Sequence, residues 1–134
     1  MARGFRISAR VDESQHLIVF NISGDIDSQA LVDKWIETYA GLEKPWLYDR
    51  LLDYRRADGL VDVNELERFA VWWEARTRGV KYSLKAAIIV NNPLDARRVH
   101  TVDGLFPHDI RESFGSLDDA LTWLQENKAR RACG

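Results

Sequence analysis

Apolar and polar residues alternate at the start of the chain. Phe5, Ile7, Ala9 and Val11 fall on one side and Arg6, Ser8 and Arg10 on the other, which predicts a half-buried strand. A polar turn, Asp12-Glu13-Ser14-Gln15, leads into the mostly apolar Leu17-Ile18-Val19-Phe20-Asn21-Ile22, and the short link predicts an antiparallel hairpin. From Asp27 the period changes to that of a helix. Leu31, Val32, Trp35, Ile36 and Tyr39 share a face, Asp27 or Ser28 supplies the N-cap, and Gly41 follows the end. Trp46 to Asp53 reads as a third strand, interrupted by the polar pair Asp49-Arg50. Asp53 to Asp62 is expected to be a charged loop, and Asp62-Val63-Asn64-Glu65 has the form of a capping box for a second helix carrying Leu66, Phe69, Ala70 and Trp73. Ala86-Ala87-Ile88-Ile89-Val90 is apolar without alternation, as in a strand covered on both faces. Pro93 then opens a short helix, Ile110 to Phe114 is a last strand, and Ser116 caps a final helix with Leu117, Ala120, Leu121 and Leu124.

The order β-β-α-β-α-β-α-β-α implies an α/β domain with a mixed five-stranded sheet, an opening antiparallel hairpin followed by parallel β-α units, and four flanking helices. At 134 residues the chain, 1–134, is expected to be a single domain. A net charge of −2 gives no general electrostatic drive toward nucleic acid or an anionic membrane. No apolar run approaches the roughly 20 residues of a membrane span, and the first residues lack the apolar core of a signal peptide. The single cysteine, Cys133, cannot form an intrachain disulfide. The expectation is a cytoplasmic protein with no metal and no cofactor.

The arrangement resembles the SpoIIAA-like family, within the STAS-like fold of anti-sigma-factor antagonists. The resemblance rests on Gly24-Asp25 before the first helix, Leu51-Leu52-Asp53 before the second, and Lys85-Ala86-Ala87-Ile88-Ile89-Val90 before the third. It is most specific in the tail, Arg111-Glu112-Ser113-Phe114-Gly115-Ser116-Leu117-Asp118-Asp119-Ala120-Leu121-Thr122-Trp123-Leu124. It implies a non-enzymatic bacterial binding or regulatory module acting through protein–protein contacts. In the antagonists a Ser at the start of the second helix is phosphorylated. The matching junction here, Asp53 to Asp62, holds no Ser or Thr, with Asp58 or Asp62 near the Ser position, so the phospho-Ser switch does not carry over. The alternative, a small apolar ligand or lipid-binding domain, rests on the aromatic content and on the lipid-carrier-like pocket associated with the fold.

The candidate binding residues are Asp53, Arg55, Arg56, Asp58 and Trp72. Loop arginines beside a helix N-terminus suit a partner carboxylate or phosphate, and a solvated loop with Asp62 as a plain cap is the bland reading. The tryptophans Trp35, Trp46, Trp72, Trp73 and Trp123 could line an apolar ligand pocket or a dimer surface but favour core packing, and Trp72 falls at the edge of its helix's apolar stripe, where it could meet a ligand or a second copy in a homodimer. Asp49 and Asp53 share a strand face but lie too far apart for a carboxylate pair. His16, His100 and His108 have no metal-ligand spacing, and no catalytic residue is expected.

Overall fold

The computed structural model describes residues 4–126. Five strands form one sheet in the order β1-β2-β3-β4-β5: Arg6–Asp12 (β1), Leu17–Asp25 (β2), Asp49–Asp58 (β3), Leu84–Ile89 (β4) and Asp109–Phe114 (β5). β1 and β2 pair antiparallel, and every later neighbour is parallel. The helices are Ser28–Ala40 (α1), Val63–Arg76 (α2), Pro93–His100 (α3) and Leu117–Gln125 (α4). The expected hairpin, parallel units and four helices are all present, and β4 lies inside the sheet with every residue buried.

Sequential strand order decides the layers. Crossovers of one hand that always advance in the same direction place their helices on one side of the sheet. Residues of α1, α2 and α3 accordingly share one core with Ile18, Phe20, Ile22, Leu52, Tyr54, Ala86 and Ile88. Among the described residues the opposite face has α4 alone, where Ala120 and Leu124 cover Leu17, Val19, Leu51, Ala87 and Ile89. Lys85 secures that helix: its buried ammonium donates to the carbonyls of Trp123 at 2.6 Å and Glu126 at 2.8 Å and lies 4.7 Å from the Trp123 ring centroid. A cation on last-turn carbonyls is a favourable helix ending.

Caps follow the local chemistry in three helices. Asp27 accepts from Ala30 N, Asn92 from Asp95 N and Ser116 from Asp119 N. Asp62 is different. It occupies the cap position of α2, yet its side chain accepts no cap hydrogen bond, and its own N–H donates to the Ser28 hydroxyl at 2.8 Å. The capping box does not form.

The third strand also departs from expectation. Pro45-Trp46-Leu47 is a 3₁₀ turn, and β3 runs from Asp49 to Asp58 instead of Trp46 to Asp53. Its polar second half pairs with the end of β2, Ser23 with Arg56, Gly24 with Ala57 and Asp25 with Asp58. Between Asn21 and Ser23 the register steps from Asp53 to Arg56, so β3 carries one extra residue, a bulge. Tyr54 and Ala57, three apart, thus both pack toward the three-helix core, while Arg55 and Arg56 between them are exposed. The expected ten-residue loop shrinks to the short link between Asp58 and α2.

Candidate functional site

A cavity of about 260 Å³ opens in the three-helix layer. Its floor is the sheet, through Phe20, Arg50, Leu52, Tyr54 and Ile88. Residues 60–63 and Leu66 of the α2 entry form one side, and Arg98, Val99, Thr101 and Val102 at the end of α3 form the other. Trp35, Tyr39 and Phe69 close the inner end, with Phe106 and Arg111 also in the wall. Most of this lining is apolar or aromatic, as in small-molecule sites.

Arg50 is the unusual member. It lies on the core side of β3, 4% exposed, inside a strand whose neighbours Leu51 and Leu52 are buried aliphatics. Its guanidinium carbon sits 4.7 Å from the Trp73 ring centroid, 5.1 Å from Tyr39 and 5.8 Å from Phe69, so three π-faces cradle the cation. Nη1 stands 3.6 Å from Oδ2 of Asp109, whose side chain is fully buried at the start of β5. Burial pushes the Asp109 carboxyl above its ordinary value, against the opposing pull of Arg50 and Arg111. Burial works against the charge of Arg50 too, but Tyr39, Asp109, Tyr82 and Asp49 outweigh it and hold the guanidinium protonated.

Arg111 is a second guanidinium in the wall. Its Nε donates to Asp103 at 3.0 Å, and its carbon stands 5.2 Å from the Phe106 centroid. Burial, then repulsion from Arg50, lower its pKa. Tyr39 is 1% exposed, and burial pushes its hydroxyl up to about 12. The Tyr39 hydroxyl, the Trp35 Nε1, the Arg50 Nε and Nη2 and both Asp109 carboxyl oxygens are buried polar groups with no hydrogen-bond partner among the described residues. Native proteins leave few such groups unmatched, because each costs about 1–3 kcal/mol.

The five candidates named from sequence lie elsewhere. Asp53, Arg55 and Arg56 line a groove on the α4 side of the sheet, where the helix leaves β1 and the ends of β2 and β3 uncovered. There Arg55 donates through Nε at 3.0 Å and Nη2 at 2.7 Å to both oxygens of Asp53. Burial pushes Asp53 up, but the hydrogen bonds and charge of Arg55 prevail and hold it below its usual range. Arg55 is therefore engaged within its own strand while its side chain remains partly exposed. Asp58 is exposed at the end of β3. Trp72 is half-buried on α2, its ring stacked on Phe69 at 6.1 Å, so the structure does not bring it to the other four. Trp35 and Trp73 are core residues, and Trp46, Trp72 and Trp123 are partly buried.

The histidines are dispersed. His16 holds a turn at φ 51° and meets Tyr48 edge-on, His100 Nδ1 is 2.9 Å from Asp103, and His108 packs on Tyr82. Cys133 lies outside the described residues. Among the described residues no helix is long and apolar enough to cross a membrane.

Sequence reasoning named Trp35 only among the tryptophans able to line a pocket and did not single out Tyr39, Arg50 or Arg111, which also line the cavity. One signal was present: a charged pair, Asp49-Arg50, interrupting an apolar strand. Asp49 accepts the Lys85 N–H at 2.9 Å, and Arg50 turns inward to the cavity.

No protein-family model matches the chain, and no curated protein matches it. Solved structures do. An uncharacterized protein of the DUF3478 family with a SpoIIAA-like fold, from Shewanella loihica, superposes with a TM-score of 0.61 over 92% of this chain and 96% of its own, at 19% identity. An anti-sigma factor antagonist from Mycobacterium paratuberculosis superposes with a TM-score of 0.53 over 90% of this chain and 96% of its own, at 21% identity. The mixed sheet with its antiparallel opening and four helices is the SpoIIAA-like fold.

Proposed function

We propose that the chain is a non-enzymatic bacterial binding module, working in the cytoplasm, whose site is the cavity between α2 and α3 and whose ligand is small and largely apolar. The observation that carries this reading is the aromatic and aliphatic lining of a cavity of about 260 Å³. The size, just below the roughly 300–1,000 Å³ of drug-sized sites, favours a ligand of modest length. The polar groups at its inner end are guanidiniums and a tyrosine pushed to about 12, which hold their protons near neutral pH and suit binding better than proton transfer. The test is calorimetric titration with 1-octanol, a neutral apolar probe, on wild type and on Leu60→Trp, which fills part of the cavity beside the α2 entry. Saturable binding of one equivalent, weakened at least fivefold in the variant, is expected. No binding by the wild type of 1-octanol or of a charged amphiphile of the same length would overturn the reading.

A second reading has its own support in the groove that, among the described residues, α4 leaves open over β1, β2 and β3. Arg6, Arg10 and Arg56 line it beside Val19 and Leu121, a mixed cationic and apolar strip suited to an acidic protein partner or a second copy of the chain. One structure of the same fold is an anti-sigma factor antagonist. Such a module would act without a phospho-Ser switch. Sedimentation at micromolar concentration reads self-association. A clean monomer would remove the homodimer, and unchanged partner recovery by Arg55→Ala/Arg56→Ala would remove those two arginines from the surface.

A further inference from the structure

The unmatched buried groups that line the cavity are donors, and the unmatched acceptors beside them, both oxygens of Asp109, lie outside its lining. Trp35 Nε1, Tyr39 Oη and Arg50 Nε and Nη2 can each donate, all three residues line the cavity, and none of the four atoms has an acceptor among the described residues. Trp35 and Arg50 are each 4% exposed and Tyr39 is 1% exposed, so bulk water does not meet the need. The charges of the lining agree. Arg50, Arg98 and Arg111 line it with one carboxylate, Asp62, although each arginine also has a carboxylate beside it outside the lining: Asp109, Asp95 and Asp103.

The geometry of Arg50 narrows the ligand further. Asp109 stands 3.6 Å from Nη1, and Nε and Nη2 make no hydrogen bond among the described residues. The unmatched atoms, Nε and Nη2, form the side edge of the guanidinium, whose two parallel N–H vectors match the two oxygens of a carboxylate. The same chain uses that edge elsewhere. Arg55 holds both oxygens of Asp53 through Nε and Nη2, at 3.0 Å and 2.7 Å. Arg50 presents this fork within a wall of aromatic rings.

We infer that the cavity takes an amphipathic monocarboxylate, its acid group bound by the Nε–Nη2 edge of Arg50 with Tyr39 and Trp35 as further donors, and its apolar body lying along Leu52, Tyr54, Ile88 and Val99. This rests on the cavity being the ligand site and adds the chemical class of the ligand. A buried cation with an unmatched edge favours a ligand that carries the complementary charge. A neutral alcohol of the same length leaves the fork only partly met.

The experiment compares octanoate with 1-octanol by calorimetry on the full chain. Wild type should bind octanoate at least tenfold more tightly, which is 1.4 kcal/mol. Arg50→Met combined with Asp109→Asn removes the fork and its buried counter-charge together, so that neither charge is stranded, and a urea midpoint verifies that the variant folds. That variant should bind both probes equally. Equal affinities in the wild type would overturn the assignment of a carboxylate while leaving an apolar ligand site standing. A preference retained in the double variant would overturn the role of Arg50. Failure of both probes to bind would overturn the carboxylate and the cavity reading together.

Discussion

Replacing Lys85 by Met keeps most of an aliphatic stem and removes one ammonium. In the folded protein that ammonium donates to Trp123 O at 2.6 Å and Glu126 O at 2.8 Å, lies 4.7 Å from the Trp123 ring and belongs to a side chain only 6% exposed. A hydrogen bond to a charged group contributes about 1.5–3 kcal/mol, and a partly desolvated cation–π contact about 1. The ammonium's own desolvation offsets a large part of that sum. A net loss of about 2 kcal/mol remains. At this chain length 1 kcal/mol corresponds to roughly 3–5 °C, so Tm should fall by about 6–10 °C. Urea denaturation followed by far-UV circular dichroism measures the difference, with m unchanged if unfolding stays two-state. Lys81→Met is the control, because Lys81 is exposed, and should change stability by less than about 0.5 kcal/mol. A Lys85→Met loss as small as that of the control would refute the idea that this lysine ties the end of α4 to the sheet.

Other outcomes follow from the same geometry. Arg50→Met alone strands the Asp109 carboxylate and should cost about 3–5 kcal/mol, with part recovered when Asp109→Asn is added, as a double-mutant cycle in urea would measure. Asp109 has a raised folded pKa, so its contribution to stability is fully present below the unfolded value of 3.8 and is lost as pH rises through the folded value. Asp53 has a lowered one, so its contribution is present above 3.8 and lost as pH falls through the folded value. Asp53→Asn should accordingly cost up to about 1 kcal/mol at pH 7, a partly exposed pair being worth little more, and in a pH series of urea titrations the gap to wild type should begin to narrow near 3.8 and close below the lowered folded value. Asp27→Ala, Asn92→Ala and Ser116→Ala should each lower stability by about 1 kcal/mol, whereas Asp62→Ala should cost less than about 0.5, as thermal melts of the four variants would report.

Element type was legible because it is set by local periodicity. The alternation of Phe5 to Val11 makes a half-buried strand wherever that segment lies, and the unbroken run Ala86–Val90 requires cover on both faces. Asp27, Pro93 and Ser116 mark helix starts for reasons contained within a few residues. From these elements and their order the hairpin, the parallel units and the fold could be read.

What the tertiary structure alone decided concerns partners distant in sequence. Arg55, Arg56 and Asp58 look like loop residues by composition, yet they extend β3 because the end of β2 lies alongside and offers its backbone. Asp62 has the sequence of a cap, but its backbone N–H meets Ser28, 34 residues earlier, and its side chain stays out of the cap. The cavity is likewise invisible to periodicity, being the space between α2 and α3, which depends on how both lie over the sheet. Arg50 was visible only as an oddity in an apolar strand. Its meaning came from the convergence of Trp35 and Tyr39 on α1, Phe69 and Trp73 on α2, and Asp109 on β5, because a buried charge is defined by what surrounds it, and those surroundings come from three other elements of the fold.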